Sequence, residues 1–340
     1  MRRLALLFAL LPFVVSAQET ITVERVLVDA RVTDFDGAPV RGLQPKDFRV
    51  RIDGRDAVVE SVVWVPETAA ARSESLLPAA RGEGARRADE GPPAGRVMVF
   101  LVQTDFARDY GRSSGQMRFA NMGRTSLLDI VEPGDRVAVL SLDSHLKFRL
   151  DFTDDRDAIA DAIFHTMKMD DPPPPAPAAE PSLTTLLDRE RLRRTYHPET
   201  ALQVLAEALQ KIPGAKSLML CGWGFGNYYY RHNWVTQSPE YDKAAAALQA
   251  ARVNVFSIDT PTDSHSLWVS LRKVAENTGG FYGGASYITY NRLRATLSGH
   301  YELEVRPNVT RRGSHSISVK VRGRDLRVMA RSAYADEGQS

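Results

Sequence analysis

The residues with the clearest chemical potential follow an apolar run in the middle of the chain. Val97–Val102 has the composition of a buried strand and leads into the loop Gln103–Asp109, which carries the carboxylates of Asp105 and Asp109. Asp259 follows a later apolar run. The carboxyl ends of parallel strands share one edge of a sheet, so these three carboxylates could supply oxygen ligands to Mg²⁺ or Ca²⁺.

Aromatic side chains are concentrated just after another apolar run, Ser217–Cys221. They are Trp223, Phe225, Tyr228, Tyr229, Tyr230 and Trp234. Aromatic-rich surface loops are frequent anchors of protein–protein binding, and packing over the sheet edge explains the same residues equally well. The glycines of Gly222-Trp-Gly-Phe-Gly226 lack the spacing of a dinucleotide fingerprint and are expected to let the chain turn sharply off a strand end.

Familiar catalytic motifs are absent from the sequence. The 7 histidines show no HExxH or paired metal spacing, and no Gly-x-Ser-x-Gly marks a nucleophile elbow. Cys221 is the single cysteine and ends an apolar run, which predicts a buried thiol. We predict a protein without catalytic residues, and a periplasmic hydrolase is the enzyme alternative.

The N-terminus predicts secretion. Arg2 and Arg3 precede the apolar run Leu4–Val15, and small residues stand at the −3 and −1 positions of a cleavage site after Ala17. We interpret residues 1–17 as a Sec-type signal peptide, because the run is shorter than the ~20 residues of a membrane span. The mature protein is expected in the periplasm or outside the cell, without a membrane span. Its net charge of +2 gives no case for a nucleic-acid partner.

The composition changes along the chain. Residues 18–66 and 299–334 read as strands only, with two-residue alternation and tight turns. Between them, residues 96–298 alternate strands with helices, which predicts a doubly wound, mostly parallel sheet covered on both faces. Residues 67–95 lack apolar periodicity and are predicted to be a flexible linker. The expected fold class is α/β, with the N- and C-terminal strands paired into one β-sandwich. The predicted helices of the middle block include 116–130, 198–209, 241–251, 267–278 and 290–297.

Short motifs spread along the mature chain resemble a known family. They are Val32–Gly37, Leu43–Phe48, Ile52–Gly54, Gly134–Val139, Asp151–Arg156, Ile212–Leu218, Thr278–Gly280, Tyr301–Leu303, Ile317–Val321 and Arg331–Tyr334. In order and spacing they are similar to secreted bacterial proteins with the acidobacterial-type von Willebrand factor A-related domain. The middle block resembles a von Willebrand factor type A domain.

The resemblance implies a ligand face at the carboxyl edge of the sheet. In the wider family, Mg²⁺ is held there by an Asp-x-Ser-x-Ser after the first strand, a Thr, and an Asp after the central strand, and it receives a partner's carboxylate. This chain departs from that pattern, because Gln103–Asp109 lacks the Ser pair and Gly222–Gly226 offers no carboxylate. A structural role, with Asp105 and Asp109 as a helix cap and a solvated acid, is the favoured interpretation.

We therefore predict a secreted, non-enzymatic interaction module of the adhesion type. It would bind a protein or a cell-envelope ligand without a standard metal site and without a cofactor. The predicted partner-binding residues are Asp105, Asp109, Trp223, Phe225 and Tyr229. A cation-dependent adhesion domain that uses Asp105, Asp109 and Asp259 is the second hypothesis, and the hydrolase is the third.

Overall fold

The computed structural model describes residues 25–35, 37–75, 95–104, 110–123, 125–168, 170–229, 234–308, 312–323 and 325–336. The strands are β1 Val26–Thr33, β2 Phe48–Ile52, β3 Arg55–Pro66, β4 Val97–Gln103, β5 Arg136–Leu142, β6 Leu146–Thr153, β7 Lys216–Gly222, β8 Asn227–Tyr229, β9 Trp234–Thr236, β10 Val253–Asp259, β11 Tyr282–Gly284, β12 Gly299–Arg306, β13 Gly313–Val321, β14 Arg327–Ala330 and β15 Ala333–Asp336. The helices are α1 Ala69–Ser75, α2 Tyr110–Gly123, α3 Arg156–His165, α4 Leu183–Leu186, α5 Arg189–Arg193, α6 Pro198–Leu209, α7 Glu240–Ala250, α8 Trp268–Thr278 and α9 Tyr287–Thr296.

Six strands form a mixed sheet in the order β11-β10-β7-β4-β5-β6. All neighbours in this sheet are parallel except β6, which pairs antiparallel with β5 at one edge. The chain winds from β4 to β5 in one direction and returns to place β7 on the other side of β4. The carboxyl end of β4 is therefore the point at which the strand order reverses, where ligands bind in open sheets of this kind.

The side chains of β4 explain why helices cover both faces of this sheet. Val97, Val99 and Leu101 belong to one apolar cluster, whereas Met98 and Phe100 belong to another. Successive side chains of a strand point to opposite faces, so a continuous apolar run must be buried on both sides. The first cluster contains residues of α6, α7 and α8, and the second contains residues of α2, α3 and α9.

The N- and C-terminal strands share a second sheet, in the order β14-β1-β12-β3-β2-β13-β15. Its pairs are antiparallel. The long strand β3 joins the two halves, because Arg55–Ala57 pairs with β2 and Val58–Pro66 pairs with β12. The predicted pairing of the chain ends is therefore present. The described strands form one curled sheet around a common apolar cluster, which agrees in part with the predicted β-sandwich.

A buried ion pair of the antiparallel sheet also holds the end of α9. The guanidinium of Arg31 in β1 binds both carboxylate oxygens of Glu67, at 2.7 and 2.9 Å, and donates to the carbonyls of Thr296 and Gly299. Burial alone would raise the pKa of Glu67, but Arg31 and His300 hold it well below its ordinary value. Breaking one partner of a buried pair such as this costs about 3–5 kcal/mol.

Two predicted segments differ from the structure. Within the predicted linker, Glu67 is held by Arg31, and Ala69–Ser75 forms a helix whose Ala71 is buried; the rest of the linker up to residue 94 lies outside the described residues. The helix predicted over 116–130 is α2, which begins and ends earlier, at Tyr110 and Gly123. The later apolar residues of that prediction form a short 3-10 turn over Leu128–Ile130.

The buried histidine of β13 makes the stability of the antiparallel sheet depend on pH. His315 is fully buried, and its Nδ1 lies 2.8 Å from Asp53 Oδ2 and its Nε2 lies 3.4 Å from Asp336 Oδ2. The hydrogen bond to Asp53 raises the pKa of His315 more than burial lowers it. A group whose pKa is raised by folding stabilises the fold fully below its unfolded value, about 6.5, and loses that contribution as the pH rises through the folded value.

We expect the unaltered chain to lose stability between about pH 5.5 and about pH 9. We predict that this loss is smaller in His315→Gln, which removes the titrating group. The measurement is the denaturant midpoint at both pH values. His165→Gln, which alters an exposed histidine, is the matched control and is expected to leave the pH dependence unchanged. An unaltered slope in the His315 variant would contradict this assignment.

Candidate functional site

The side chain of Gln103 organises the carboxyl edge of the mixed sheet. Gln103 ends β4 and is 3% exposed. Its Oε1 accepts hydrogen bonds from the backbone N–H groups of Trp223 and Gly224, both at 3.0 Å, and its Nε2 donates to the carbonyl of Gly224 at 3.0 Å. One amide therefore satisfies three backbone groups of the loop after β7. An amide suits this position because it both donates and accepts, whereas an ionised carboxylate only accepts.

The glycines of this loop are explained by the approach of that amide. A Cβ atom on Gly222 would stand 2.0 Å from Gln103 Oε1, so any side chain at this position would displace the amide. Gly224 and Gly226 have φ values of 97° and 99°, which other residues rarely adopt. The predicted role of the glycines in a sharp turn off the strand end is confirmed.

The two aromatic residues between these glycines have different environments. Phe225 is 3% exposed and stacks on Tyr241, with ring centroids 6.0 Å apart. The burial of Phe225 favours the packing role, one of the two roles that the sequence left open, and Phe225 also contributes to the lining of a cleft. Trp223 is half-buried and lines a cleft, and the Arg112 guanidinium lies 5.1 Å from its ring centroid.

The structure places one of the three predicted carboxylate ligands. Asp259 ends β10, and its Oδ1 lies 2.9 Å from His265 Nε2 while its Oδ2 accepts from the Tyr282 hydroxyl at 2.6 Å. Burial, followed by the contact with Asp259, raises the pKa of the Tyr282 phenol. Both oxygens of Asp259 are thus engaged within the protein. Asp105 and Asp109 lie outside the described residues, as does the side chain of Tyr229, so these predictions stay open.

A cleft opens beside the Gln103 amide. Its volume is about 860 Å³, and it is bounded by the ends of β4 and β5, the start of α6, the loop after β7 and the start of α7. Trp223 and Tyr196 supply aromatic surface, and Tyr196 is 58% exposed. The cleft lies at the reversal of strand order, where the topology of the sheet predicts a ligand.

Two buried carboxyl groups line this cleft. Asp143 pairs with the ammonium of Lys147 at 2.7 Å, and the two side chains are only 1% and 3% exposed. Burial alone would raise the pKa of Asp143, but the hydrogen bonds from Lys147 and Ser144 outweigh that effect and lower it. Glu199 is 4% exposed and accepts a hydrogen bond from the Ser238 hydroxyl at 3.2 Å.

Several of these residues were missed by the sequence interpretation. His197-Pro-Glu199 was recognised only as a helix start, which it is, since α6 begins at Pro198. The carboxyl group of Glu199 lines the cleft because the end of β5 and the starts of α6 and α7 meet there. The sequence pattern that could have indicated these cleft residues is an acidic residue in the first turn of each of two helices, Glu199 in α6 and Glu240 in α7.

A cluster of metal-binding side chains lies elsewhere in the fold. Among the described residues it comprises Asp29, His300 and Glu302, at the junction of the two sheets. The Arg252 guanidinium lies between two of them, 2.5 Å from Asp29 Oδ1 and 2.7 Å from Glu302 Oε1. The positive charge that these acids require is thus supplied by an arginine.

A serine and a histidine also stand next to each other at the cleft. Ser144 Oγ lies 3.1 Å from His145 Nδ1, and His145 Nε2 lies 3.7 Å from Asp171 Oδ1. The same hydroxyl is 2.9 Å from Asp143 Oδ1, and Asp171 pairs with Arg193 at 3.0 Å. The Ser144 proton therefore has a competing carboxylate acceptor, and the acid that would orient the histidine is engaged by an arginine.

We predict that Gln103→Ala lowers the free energy of unfolding by about 1–3 kcal/mol, because it leaves buried backbone groups of the loop without partners. Hydrogen exchange at Trp223 and Gly224 is expected to accelerate in the same variant. Gln203→Ala is the matched control, since Gln203 donates only to Glu207 on the same helix, and a change within about 0.5 kcal/mol is expected. Equal effects of the two substitutions would contradict the role given to Gln103.

Comparison with known proteins completes the description of the site. No protein-family model matches the sequence, and no curated protein matches it. Among solved structures, the human COPII-coat protein Sec24c is 12% identical with a TM-score of 0.41, and the alignment covers 71% of this chain and 44% of that one. This chain thus spans less than half the length of Sec24c. A von Willebrand factor type A protein from Catenulispora acidiphila is 10% identical, with a TM-score of 0.40 and coverage of 91% and 73%. The vWF domain of the type V pili tip protein Mfa5 from Porphyromonas gingivalis is 10% identical, with a TM-score of 0.37 and coverage of 59% and 95%.

Proposed function

We propose that this chain is a secreted, non-enzymatic interaction module of the von Willebrand factor A type. It would bind a protein or cell-envelope partner at the cleft beside Gln103. The observation that carries the proposal is the position of the cleft, which opens at the carboxyl end of β4 where the strand order reverses. The motifs quoted from the sequence and the doubly wound sheet support the family assignment.

The surface of this sheet edge supports a protein partner. Tyr196 is 58% exposed at the cleft. Tyr287 and Ile288 begin α9, which follows the carboxyl end of β11, and are 62% and 81% exposed. Large apolar side chains exposed at the ligand edge of a sheet are typical of interaction surfaces. Within the described residues no helix combines the length and apolar character needed to cross a membrane.

We propose binding without a standard metal site. The position of the family's first carboxylate aligns with either Gln103 or Asp105. At Gln103 the amide oxygen accepts two backbone hydrogen bonds and the amide nitrogen donates one, all to the loop after β7. The loop after β7 presents backbone and aromatic groups to the cleft. Asp259 is engaged by His265 and Tyr282 and does not line the cleft.

We favour binding over hydrolysis, although two buried carboxyl groups line one cleft. A general acid needs a raised pKa, whereas the pKa of Asp143 is lowered by Lys147 and Ser144 against the effect of burial. Asp143 is also neutralised by an ammonium at 2.7 Å. The groups of the cleft are thus arranged as fixed charges and hydrogen-bond acceptors, which suits recognition.

The experiment is site-specific photo-crosslinking in the cell envelope of the source organism. p-Benzoylphenylalanine is placed at Tyr196 at the cleft or, as a control of similar exposure, at Val58 in the antiparallel sheet, which is 50% exposed. We expect a discrete adduct of one mass from position 196 that Trp223→Ala weakens, and no such adduct from position 58. Adducts of equal yield from both positions, or none from position 196, would contradict the proposal.

A further inference from the structure

One corner of the cleft brings two carboxylates to a single hydroxyl. Glu199 lies in the first turn of α6, and Glu240 begins α7. The Ser238 hydroxyl donates to Glu199 Oε1 at 3.2 Å. The backbone N–H of Glu240 and then the Ser238 hydroxyl lower the pKa of Glu240. Because Ser238 has one proton to donate, the two carboxylates share a donor that can fully satisfy only one of them.

Basic side chains are missing from the described lining around these two carboxyl groups. No Lys or Arg belongs to the described residues that line the cleft, and Lys147 just behind the wall is already paired with Asp143. Lys243 on α7 and then His197 lower the pKa of Glu240 electrostatically, after its hydrogen bonds. The N-terminus of a helix is a favourable place for a carboxyl group. The corner therefore presents two carboxyl groups with acceptor capacity.

A buried hydroxyl elsewhere in the lining also lacks a partner within the part of the chain that the structure describes. Thr104 follows β4, lines the cleft and is 3% exposed, and no described group forms a hydrogen bond with its Oγ1. A buried polar group left unpaired costs about 1–3 kcal/mol, which a donor on a ligand can recover. This observation is independent of the acidic corner and indicates a ligand with N–H or O–H donors.

The aromatic walls define the shape of such a ligand. The Arg112 guanidinium already lies 5.1 Å from the Trp223 ring centroid, so this ring accepts a flat cation on one face. Tyr196 offers a second exposed ring at the rim. A guanidinium carries five donors in a plane and stacks on aromatic faces, whereas an ammonium is a compact point charge.

We propose that the cleft receives an arginine side chain of the partner protein, an inference that rests on the binding role proposed above. The guanidinium would donate to the carboxylates of Glu199 and Glu240 and to the hydroxyl of Thr104. This is the reverse of a metal-held site, where a bound cation attracts a partner's carboxylate. Carboxyl groups at the corner are complementary to a positive side chain.

The test is ¹⁹F NMR of the mature chain labelled with 5-fluorotryptophan. The chain has 4 tryptophans, and Trp223→Phe identifies the resonance at the cleft. The probe is the peptide acetyl-Gly-Arg-Gly-amide, and the same peptide with neutral citrulline in place of arginine is the isosteric control. The arginine peptide is expected to shift the Trp223 resonance saturably in the millimolar range, with weaker binding at high salt. The citrulline peptide is expected to leave it in place.

The double variant Glu199→Gln and Glu240→Gln is expected to weaken arginine binding at least about tenfold. Glu240→Gln alone alters an exposed side chain, so this variant is expected to fold. It is expected to weaken binding of the arginine peptide about threefold. Glu276→Gln, which removes the same charge from the far end of α8, is the matched control and should have no effect.

Three results would overturn the inference. They are equal binding of the citrulline peptide, absence of arginine binding at about 10 mM, and a shift of Trp223 by CaCl₂ with the same dependence on the glutamates. If the arginine peptide does not bind while p-benzoylphenylalanine at position 196 still forms a discrete adduct, the arginine inference alone is wrong. If position 196 yields no discrete adduct, the proposed function itself fails.

Discussion

The hydrogen bonds of one buried amide determine the form of the carboxyl edge. Gln103 at the end of β4 binds the backbone of Trp223 and Gly224 and thereby fixes the loop that leaves β7. Its approach leaves no room for a Cβ atom on Gly222. With the loop held in this way, Trp223 lines the cleft and the Phe225 ring packs on Tyr241. The groups that line the cleft therefore include aromatic rings, backbone groups and the acids of neighbouring helices.

The same constraint has an electrostatic consequence. A carboxylate at the end of β4 would call for a cation, whereas the neutral amide satisfies its surroundings without one. The carboxyl groups of Glu199 and Glu240 lie at helix starts beside the cleft, and Asp143 is paired with Lys147.

Local patterns in the sequence predicted the framework of the fold. The apolar run that forms β4 lies on two buried faces, and the helix predicted over 198–209 has those bounds in the structure. These features are local, since apolar periodicity and a proline at a helix start are visible in a short window. The end of the C-terminal strands was predicted at residue 334, two residues before the end of β15, because the bounds of this strand depend on its pairing with β13.

The site was less predictable because it depends on contacts between distant segments. Gln103 and Gly224 are 121 residues apart, and only the fold shows that the amide holds the loop after β7. Phe225 was expected at the surface because its neighbours are aromatic and glycine-rich, but its ring stacks on Tyr241 of a later helix. Glu199 has the local signature of a helix start, and its place at the cleft follows from where that helix begins.

The central claim, that internal hydrogen bonds replace a bound metal at this edge, is tested most directly by thermal unfolding of the mature chain. The Tm is measured in EDTA and with excess Mg²⁺, Ca²⁺ or Mn²⁺. A cation bound to the folded state at 100 times its Kd would add about 2.7 kcal/mol to the stability. We expect the same Tm in all four conditions. A clear rise with one cation, lost on addition of chelator, would contradict the account and return the loop after β4 to the role of a metal site.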